Sequence, residues 1–326
     1  LGRYPDDKVV NLDVLTYSGN LANLEDVAGN PRYRFVRGSI CDRPLVERIC
    51  DESSIDAIVN LAAHTHVDRS ILDAAPFIET NVRGTQVLLD VARSHQIARF
   101  VQVSTDEIYG ALGPSDLPAD EQAPLAPNSP YAASKAAADL LVRAYCRTYG
   151  LPAIVTRCTN NYGAYQFPEK LIPLMIINAL NGEPLPVYGD GQQVRDWIHV
   201  LDHCEAIDTA LRRGRCGEIY NIGASNEIAN LEIVERILEH LGKPRSLIQF
   251  VKDRPAHDRR YALDATRARS ELDWSPRRDF ASGLAETINW YVEHRPWWQA
   301  VMTGEYRDYY ETWYVKREKE SGIGPP

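Results

Sequence analysis

Short β-branched runs alternate with longer segments of helical periodicity through the first half of the chain, and this alternation limits the fold more sharply than any other feature. Residues 9–13 (VVNLD), 57–61 (AIVNL) and 100–104 (FVQVS) read as strands. Between them, residues 43–51 and 76–94 repeat apolar positions every three or four residues, as helices do. Strands that are mostly apolar rather than alternating are buried on both faces, so they pair in parallel with helices packed above and below. The expected architecture is α/β, a doubly wound parallel sheet. The clearest helix covers residues 131–149: Ser129-Pro130 supplies a cap and a helix-opening proline, and Gly150 with Pro152 ends it. Its alanines, Ala132, Ala133, Ala136, Ala137 and Ala138, let a second helix approach closely. Residues 154–156 (IVT) read as a further strand.

The texture changes beyond about residue 160. Short elements punctuated by Pro168, Pro173, Pro184, Pro186, Gly189 and Gly191 replace the regular alternation, before amphipathic helices return at 231–241 and 280–293. This reads as two domains: residues 1–158, doubly wound, and residues 159–326, smaller and less regular, of the kind that recognises substrate, with part of it returning to the sheet. Residues 316–326 are charged, end in Gly and Pro, and read as a mobile tail. The chain carries 36 Lys and Arg against 45 Asp and Glu, a net charge of −9, which argues against binding to nucleic acid or to an anionic membrane. The longest apolar stretch, 171–180, contains Pro173 and Asn178 and falls well short of the ~20 residues a membrane span needs. The first residues show no secretory pattern, and the six cysteines include no C-x-x-C pair. Both features fit a reducing cytoplasm, and neither fits a disulfide framework or a zinc site.

Asp13 closes the first strand as an acidic residue closes the second strand of a dinucleotide-binding unit, roughly 20 residues after a G-x-G-x-x-G turn. No such turn precedes it here. The chain opens on Leu1-Gly2-Arg3-Tyr4, which reads as the end of a helix. We therefore expect an initial strand, its glycine loop and most of a helix to precede Leu1 in the whole protein, because neighbours of a missing central strand would expose buried edges.

Tyr131 and Lys135 form Y-x-x-x-K at helical i,i+4 spacing, so both stand on one face. An ammonium beside a phenol favours phenolate and lowers a pKa of about 10 toward neutrality. Such a tyrosine can take a proton from a hydroxyl while the carbon loses hydride. Taken alone, Y-x-x-x-K is more often an exposed packing pair, and adjacent carboxylates such as Asp106-Glu107 are more often a solvated turn. Here the carboxylates directly follow the strand-end Thr105, upstream of Y-x-x-x-K, and the set reads as acid/base apparatus.

VSTDEIYG (103–110), SPYAASK (129–135), RCTNNYGAYQFPEKLIP (157–173) and DRPAHDRRYALD (253–264) occur in this order, alongside LAAHTHVDRSI (61–71) and YNIG (220–223). Together these blocks closely resemble the dTDP-glucose 4,6-dehydratases, which are extended short-chain dehydrogenases/reductases with a Rossmann-type sheet. The similarity runs from about residue 9 to 306. The resemblance implies NAD-dependent removal of water from a nucleoside-diphosphate glucose, foremost dTDP-glucose, to give the 4-keto-6-deoxy sugar nucleotide. On this pattern Tyr131 takes the 4-hydroxyl proton as hydride leaves C4, Glu107 removes the C5 proton as Asp106 protonates the departing C6 hydroxyl, and hydride returns to C6. Thr105 would hold the 4-hydroxyl, and Lys135 the ribose. Asp13, Val14, Leu15, Thr16, Ser39 and Ile40 would flank the adenosine. Leu61, Ala62, Ala63, His64, Thr80 and Asn161 would line the rest of the cofactor. Thr65, Asn160, Glu169, Lys170, Leu171, Pro186, Tyr188, Arg195, Asn221, Arg254 and His257 would surround the substrate, the two arginines making forked contacts to phosphate. No metal is expected. A homodimer is expected, because helices 76–94 and 131–149 carry apolar or small residues beyond one inward stripe, suited to an intersubunit four-helix pack that the resemblance also implies. Asp68 and Arg69 read as a structural pair at a helix start.

The chain departs from the family pattern at several places. It has His64-Thr65 where Glu-Ser is usual, Ser39 where Asp is usual, and Ala164 and Ala256 in place of Pro and Gly. His64, ionising near neutrality, would bear on cofactor affinity or pH response. Other readings stay open. A UDP-glucose 4,6-dehydratase would share the whole set. A sugar-nucleotide 4-epimerase would share Tyr131 and Lys135 but has no need of Asp106 and Glu107. A cofactor-bound scaffold without turnover would need none of them.

Overall fold

The computed structural model describes residues 1–302; the tail expected at 316–326 lies outside the described residues. Val9–Asp13 (β1) pairs in parallel with Tyr33–Arg37 (β2). Ala57–Asn60 (β3), Arg99–Thr105 (β4) and Ala153–Cys158 (β5) form a second parallel sheet, joined on the far side of β5 by Ile219–Ile222 from the later half of the chain. Among the described residues β1 pairs with β2 alone, and β3 with β4 alone. The second strand escapes a reading of the sequence because Arg34 and Arg37 interrupt its apolar run.

Helices cover both faces of the larger sheet. Arg43–Ser53, Thr85–Ser94 and Pro130–Tyr149 bury Val46, Leu88, Leu89 and Val142 against Phe100, Ala153 and Val155 on one face. On the other, Val200–Arg213 and Thr266–Leu272 pack Ala206, Ala210 and Leu272 against Ile154, Tyr220 and Ile222. The architecture is therefore the doubly wound α/β sheet expected.

The helix expected at 76–94 is not uniform. After Ala75–Phe77 it widens into a π-helical segment, Ile78–Gly84, and returns to α geometry at Thr85–Ser94. Asn81, buried within this widened segment, uses its side chain on another part of the molecule. Gly84 permits the approach of Ile40, since a Cβ there would lie 2.5 Å from that side chain.

The later half builds its own core. Leu171–Asn181, Asn230–Leu241 and Phe280–Glu293 enclose Tyr162, Trp197, Ile233, Ile237, Leu284 and Ile288. The apolar stretch at 171–180 is thus a buried helix, and no described helix is long and apolar enough to cross a membrane. Val194–His199 pairs with Asn160–Tyr162 in parallel and with Glu227–Ala229 antiparallel, while Leu185–Tyr188 pairs with Ile248–Val251. Asp13, Asn60, Thr105 and Cys158 all terminate parallel strands at their carboxyl ends, where open α/β sheets place their ligands.

Candidate active site

Thr105 ends β4 with an extended backbone and caps a one-turn 3-10 helix, Asp106–Tyr109. Its hydroxyl accepts from the Glu107 amide at 3.3 Å and donates to Asp106 Oδ1 at 3.1 Å. The turn thereby presents two consecutive carboxylates at the strand end. Ser129 caps the neighbouring helix by accepting from the Ala132 amide at 3.1 Å, which sets Tyr131 in the first turn and Lys135 one turn later. The Tyr131 ring packs edge-on against Phe77 and its phenol lies beside the Thr105 hydroxyl. The structure thus brings all five expected catalytic residues to one place.

The electrostatics divide the two carboxylates. Asp106 is 3% exposed, and its Oδ2 has no hydrogen-bond partner among the described residues. Burial, and then the charge of Glu107, push its pKa up to about 8, so it holds a proton at neutrality. Burial raises Glu107 too, but Arg254, Arg195 and Lys170 all act to keep it ionised. A buried carboxylic acid with an unused oxygen, beside a carboxylate facing cations, is an acid and a base in adjoining positions.

Lys135 does not behave as the sequence suggests. Its ammonium donates to the Val103 carbonyl at 2.6 Å, and burial lowers its pKa. The Tyr131 phenol is raised well above its ordinary value, first by burial and then by the charge of Glu107. The expected lowering of the phenol by Lys135 is therefore corrected: in the protein alone, carboxylates rather than the ammonium dominate its surroundings.

Most of the expected cofactor residues follow the carboxyl ends of β1, β2 and β3, while Thr80 lies in the π-helical segment Ile78–Gly84 and Asn161 in the strand Asn160–Tyr162. Asp13 is exposed and accepts from the Leu15 amide at 2.7 Å through Oδ1, which leaves Oδ2 for a ligand hydroxyl. Val14, Thr16 and Leu61 are exposed, Ile40 is buried, and Leu15, Ser39, Ala62, Ala63, His64, Thr80 and Asn161 are half-buried. An exposed carboxylate, backbone amides and small side chains beyond parallel strands fit a dinucleotide. Asn81 clamps the His64 backbone from both sides, accepting from its amide at 2.9 Å and donating to its carbonyl at 3.0 Å, and also donates to Ser134 on the catalytic helix at 2.9 Å. The His64 ring packs on Phe77, and burial followed by the charge of Arg69 lowers its pKa. Both causes favour the neutral imidazole.

A second cluster faces the carboxylates. Glu169 accepts from Arg69 at 3.0 Å and from the Tyr17 hydroxyl at 2.7 Å, while Lys170 donates to the Thr65 carbonyl at 3.2 Å. Arg254 pairs with Asp68 at 2.9 Å, and Asp68 also accepts from Tyr188 at 3.1 Å. Asp68 and Arg69 thus each pair with a distant residue. Arg195 is buried over the Tyr261 ring and donates to the Val194 and Asp258 carbonyls. His257 is held by Asp253, Leu171 is half-buried, Asn160 is half-buried beside Trp197, and Pro186 is buried within its strand. Asn221 is fully buried at the end of its strand, accepting from the Tyr109 hydroxyl at 2.8 Å, donating to the Ala119 carbonyl at 2.9 Å through its side-chain amide, and giving its backbone amide to Glu121 at 2.9 Å.

Tyr17 and Asn81 were missed in the sequence. Tyr17, four residues past Asp13, carries Arg69 over its ring at 3.7 Å and Phe167 at its edge, so it ties the loop after β1 to the loop holding Glu169. Nothing in its spacing signals a contact across more than 150 residues. Ala256 adopts φ 52°, a left-handed conformation that explains why glycine is usual there.

A family model described as GDP-mannose 4,6 dehydratase matches residues 3–287. A dTDP-glucose 4,6-dehydratase of Neisseria meningitidis serogroup B is 53% identical over 321 residues, covering 92% of this chain and 90% of that protein. The crystal structure of a dTDP-glucose 4,6-dehydratase from Bacillus anthracis in complex with NAD superposes with a TM-score of 0.86 at 50% identity, covering 92% and 93% of the two chains. A UDP-glucose 4-epimerase from Thermotoga maritima superposes with a TM-score of 0.82 at 28% identity, covering 88% and 91%.

Proposed function

The chain belongs to the dTDP-glucose 4,6-dehydratase family, and from that premise we infer that it removes water from dTDP-glucose to give the 4-keto-6-deoxy sugar nucleotide, with NAD as its cofactor. The observation that carries this reading is the pair at the end of β4: buried, protonated Asp106 beside Glu107, next to Tyr131. When bound, NAD supplies a hydride acceptor, a hydride donor and the positive charge of its oxidised ring. Thr105 holds the 4-hydroxyl and Tyr131 takes its proton. Once C4 is a ketone the C5 proton is acidic, and Glu107 removes it. Asp106 gives its proton to the C6 hydroxyl, which departs as water. Lys170, Arg195 and Arg254 supply positive charge on the same side for a nucleoside diphosphate.

A 4-epimerase moves no proton at C5 and expels no water, so it leaves this carboxylate pair without work. Offering dTDP-glucose and UDP-glucose side by side and weighing the products tests the reading. Loss of one water from dTDP-glucose is the expected result; conversion to a galactose isomer of unchanged mass would overturn it.

Asp13 supports NAD over NADP, because its free oxygen suits a ribose hydroxyl and repels a 2′-phosphate. NADP is expected to bind at least about tenfold more weakly than NAD, a loss of roughly 1.4 kcal/mol. Equal affinities in a fluorescence titration would remove Asp13 from this role.

The assembly is read as a homodimer in a reducing cytoplasm. Ile78 and Leu140 stand half-exposed on the two helices expected to pair, and none of the six cysteines is in a disulfide. Sedimentation at micromolar concentration should show a dimer, and exchanging both residues for arginine should yield monomers. A monomeric parent protein would contradict the assignment.

A further inference from the structure

Tyr131, Lys135 and Asp139 follow one another at four-residue spacing on the buried face of Pro130–Tyr149. Lys135 and Asp139 therefore stand at the spacing that forms ion pairs along a helix. Yet Lys135 gives its ammonium to the Val103 carbonyl, while Asp139 accepts from Arg157 Nε at 3.0 Å. Both side chains of that pair are almost fully buried. Arg157 comes from β5, opposite Ser104 in the neighbouring strand, and is anchored from behind: its Nη1 donates to the Tyr109 hydroxyl at 2.7 Å, and Tyr109 donates in turn to Asn221. Tyr109 ends the turn that begins with Asp106 and Glu107. The second oxygen of Asp139 lies by the Ser104 hydroxyl but outside hydrogen-bond geometry.

We propose that Arg157 is a positioning residue for Lys135: it occupies the Asp139 carboxylate, which would otherwise draw the ammonium one helical turn away from Tyr131. The inference rests on reading Tyr131 and Lys135 as the pair that serves the oxidation at C4. The physical ground is competition in a site without water. A carboxylate buried without its arginine attracts a nearby ammonium strongly, because pairing offsets lost solvation of both charges better than a carbonyl contact does. The other ionisable group facing Lys135 is the Cys158 thiol, which burial raises to about 12 and keeps neutral, so Asp139 is the competing anion. With Arg157 in place, Asp139 is neutralised and the Val103 carbonyl retains Lys135. The same arginine joins the helix carrying Tyr131 to the turn carrying the two carboxylates.

The test compares R157Q, R157Q/D139N and R157K by single-turnover reduction of bound NAD with dTDP-glucose. R157Q should slow this step about 100-fold, the scale of a displacement near 1 Å. The double variant removes the competing charge along with its partner and should recover to within about tenfold of the parent, whereas a purely structural role predicts a double variant no better than the single. R157K keeps a charge on Asp139 and should also stay within about tenfold of the parent. Removing one partner of a buried pair is itself destabilising, so the double variant and R157K are also compared directly with the parent. A double variant or an R157K as slow as about 100-fold below the parent sinks the proposal, as does a folded R157Q that reacts at the parent rate. Failure of the parent protein to make a 4-keto product would instead overturn the functional reading.

Discussion

Replacing Tyr131 by phenylalanine is expected to slow reduction of bound NAD by about 10²–10⁴-fold, the usual worth of a general base. The ring contact with Phe77 survives, since the aromatic body is unchanged and only the phenol oxygen is lost. That oxygen lies beside Thr105 in a buried site, so folding stability should change by only about 1 kcal/mol. The parent phenol is held high by burial and by Glu107, which makes it a poor base until a cation faces it. The reaction should therefore accelerate as pH rises in the parent and lose that dependence in the variant. Absorbance of the reduced nicotinamide in a single turnover measures both. An unchanged rate in the variant would place the base elsewhere and leave the Y-x-x-x-K motif as packing.

The sheet was legible because burial on two faces writes itself into local composition: residues 100–104 cannot be read as a half-exposed strand, and they form the middle of β4. Helix caps were legible for the same local reason, as Ser129 and Gly150 act within a few residues of themselves. The π-helical widening at Ile78–Gly84 was not, and the bonds that Asn81 within it makes reach His64 and Ser134, up to 53 residues away. Site chemistry was legible where residue type and order suffice, as for Asp106 and Glu107. It was misjudged wherever side chains had a choice of partner. Lys135 had Tyr131, Asp139 and Val103 within reach of its helix position, and spacing alone could not rank them. The bonds that fix Asn221, to Tyr109, Ala119 and Glu121, come from residues about 100 or more positions away, which its spacing does not reveal. Asp68 and Arg69, adjacent in sequence, diverge to Arg254 and Glu169 because neighbouring positions on a helix point in different directions.

Exchanging Asp106 for asparagine, or Glu107 for glutamine, should leave NAD reduction near the parent rate and stop the reaction afterwards. The order follows from chemistry: the C5 proton has no acidity until C4 is a ketone, and hydroxide does not leave C6 unless it is protonated. Each variant keeps the shape of its side chain and loses either the transferable proton or the base, so dehydration should fall by about 10²–10⁴-fold. Rapid quenching and mass analysis should then find a 4-keto-glucose nucleotide held with reduced cofactor. The parent should also lose dehydration as pH rises through about 8, where Asp106 gives up its proton. The sign for stability runs the same way. A carboxyl whose pKa is higher folded than unfolded contributes stability at low pH and loses it as pH climbs toward the folded value. Asp106→Asn should consequently melt at or above the parent at pH 9 while turning over far more slowly, the pattern of a site that gives up stability for function. A variant that dehydrates at the parent rate would strip the carboxylate pair of its role, and the epimerase reading would then account for Tyr131 and Lys135.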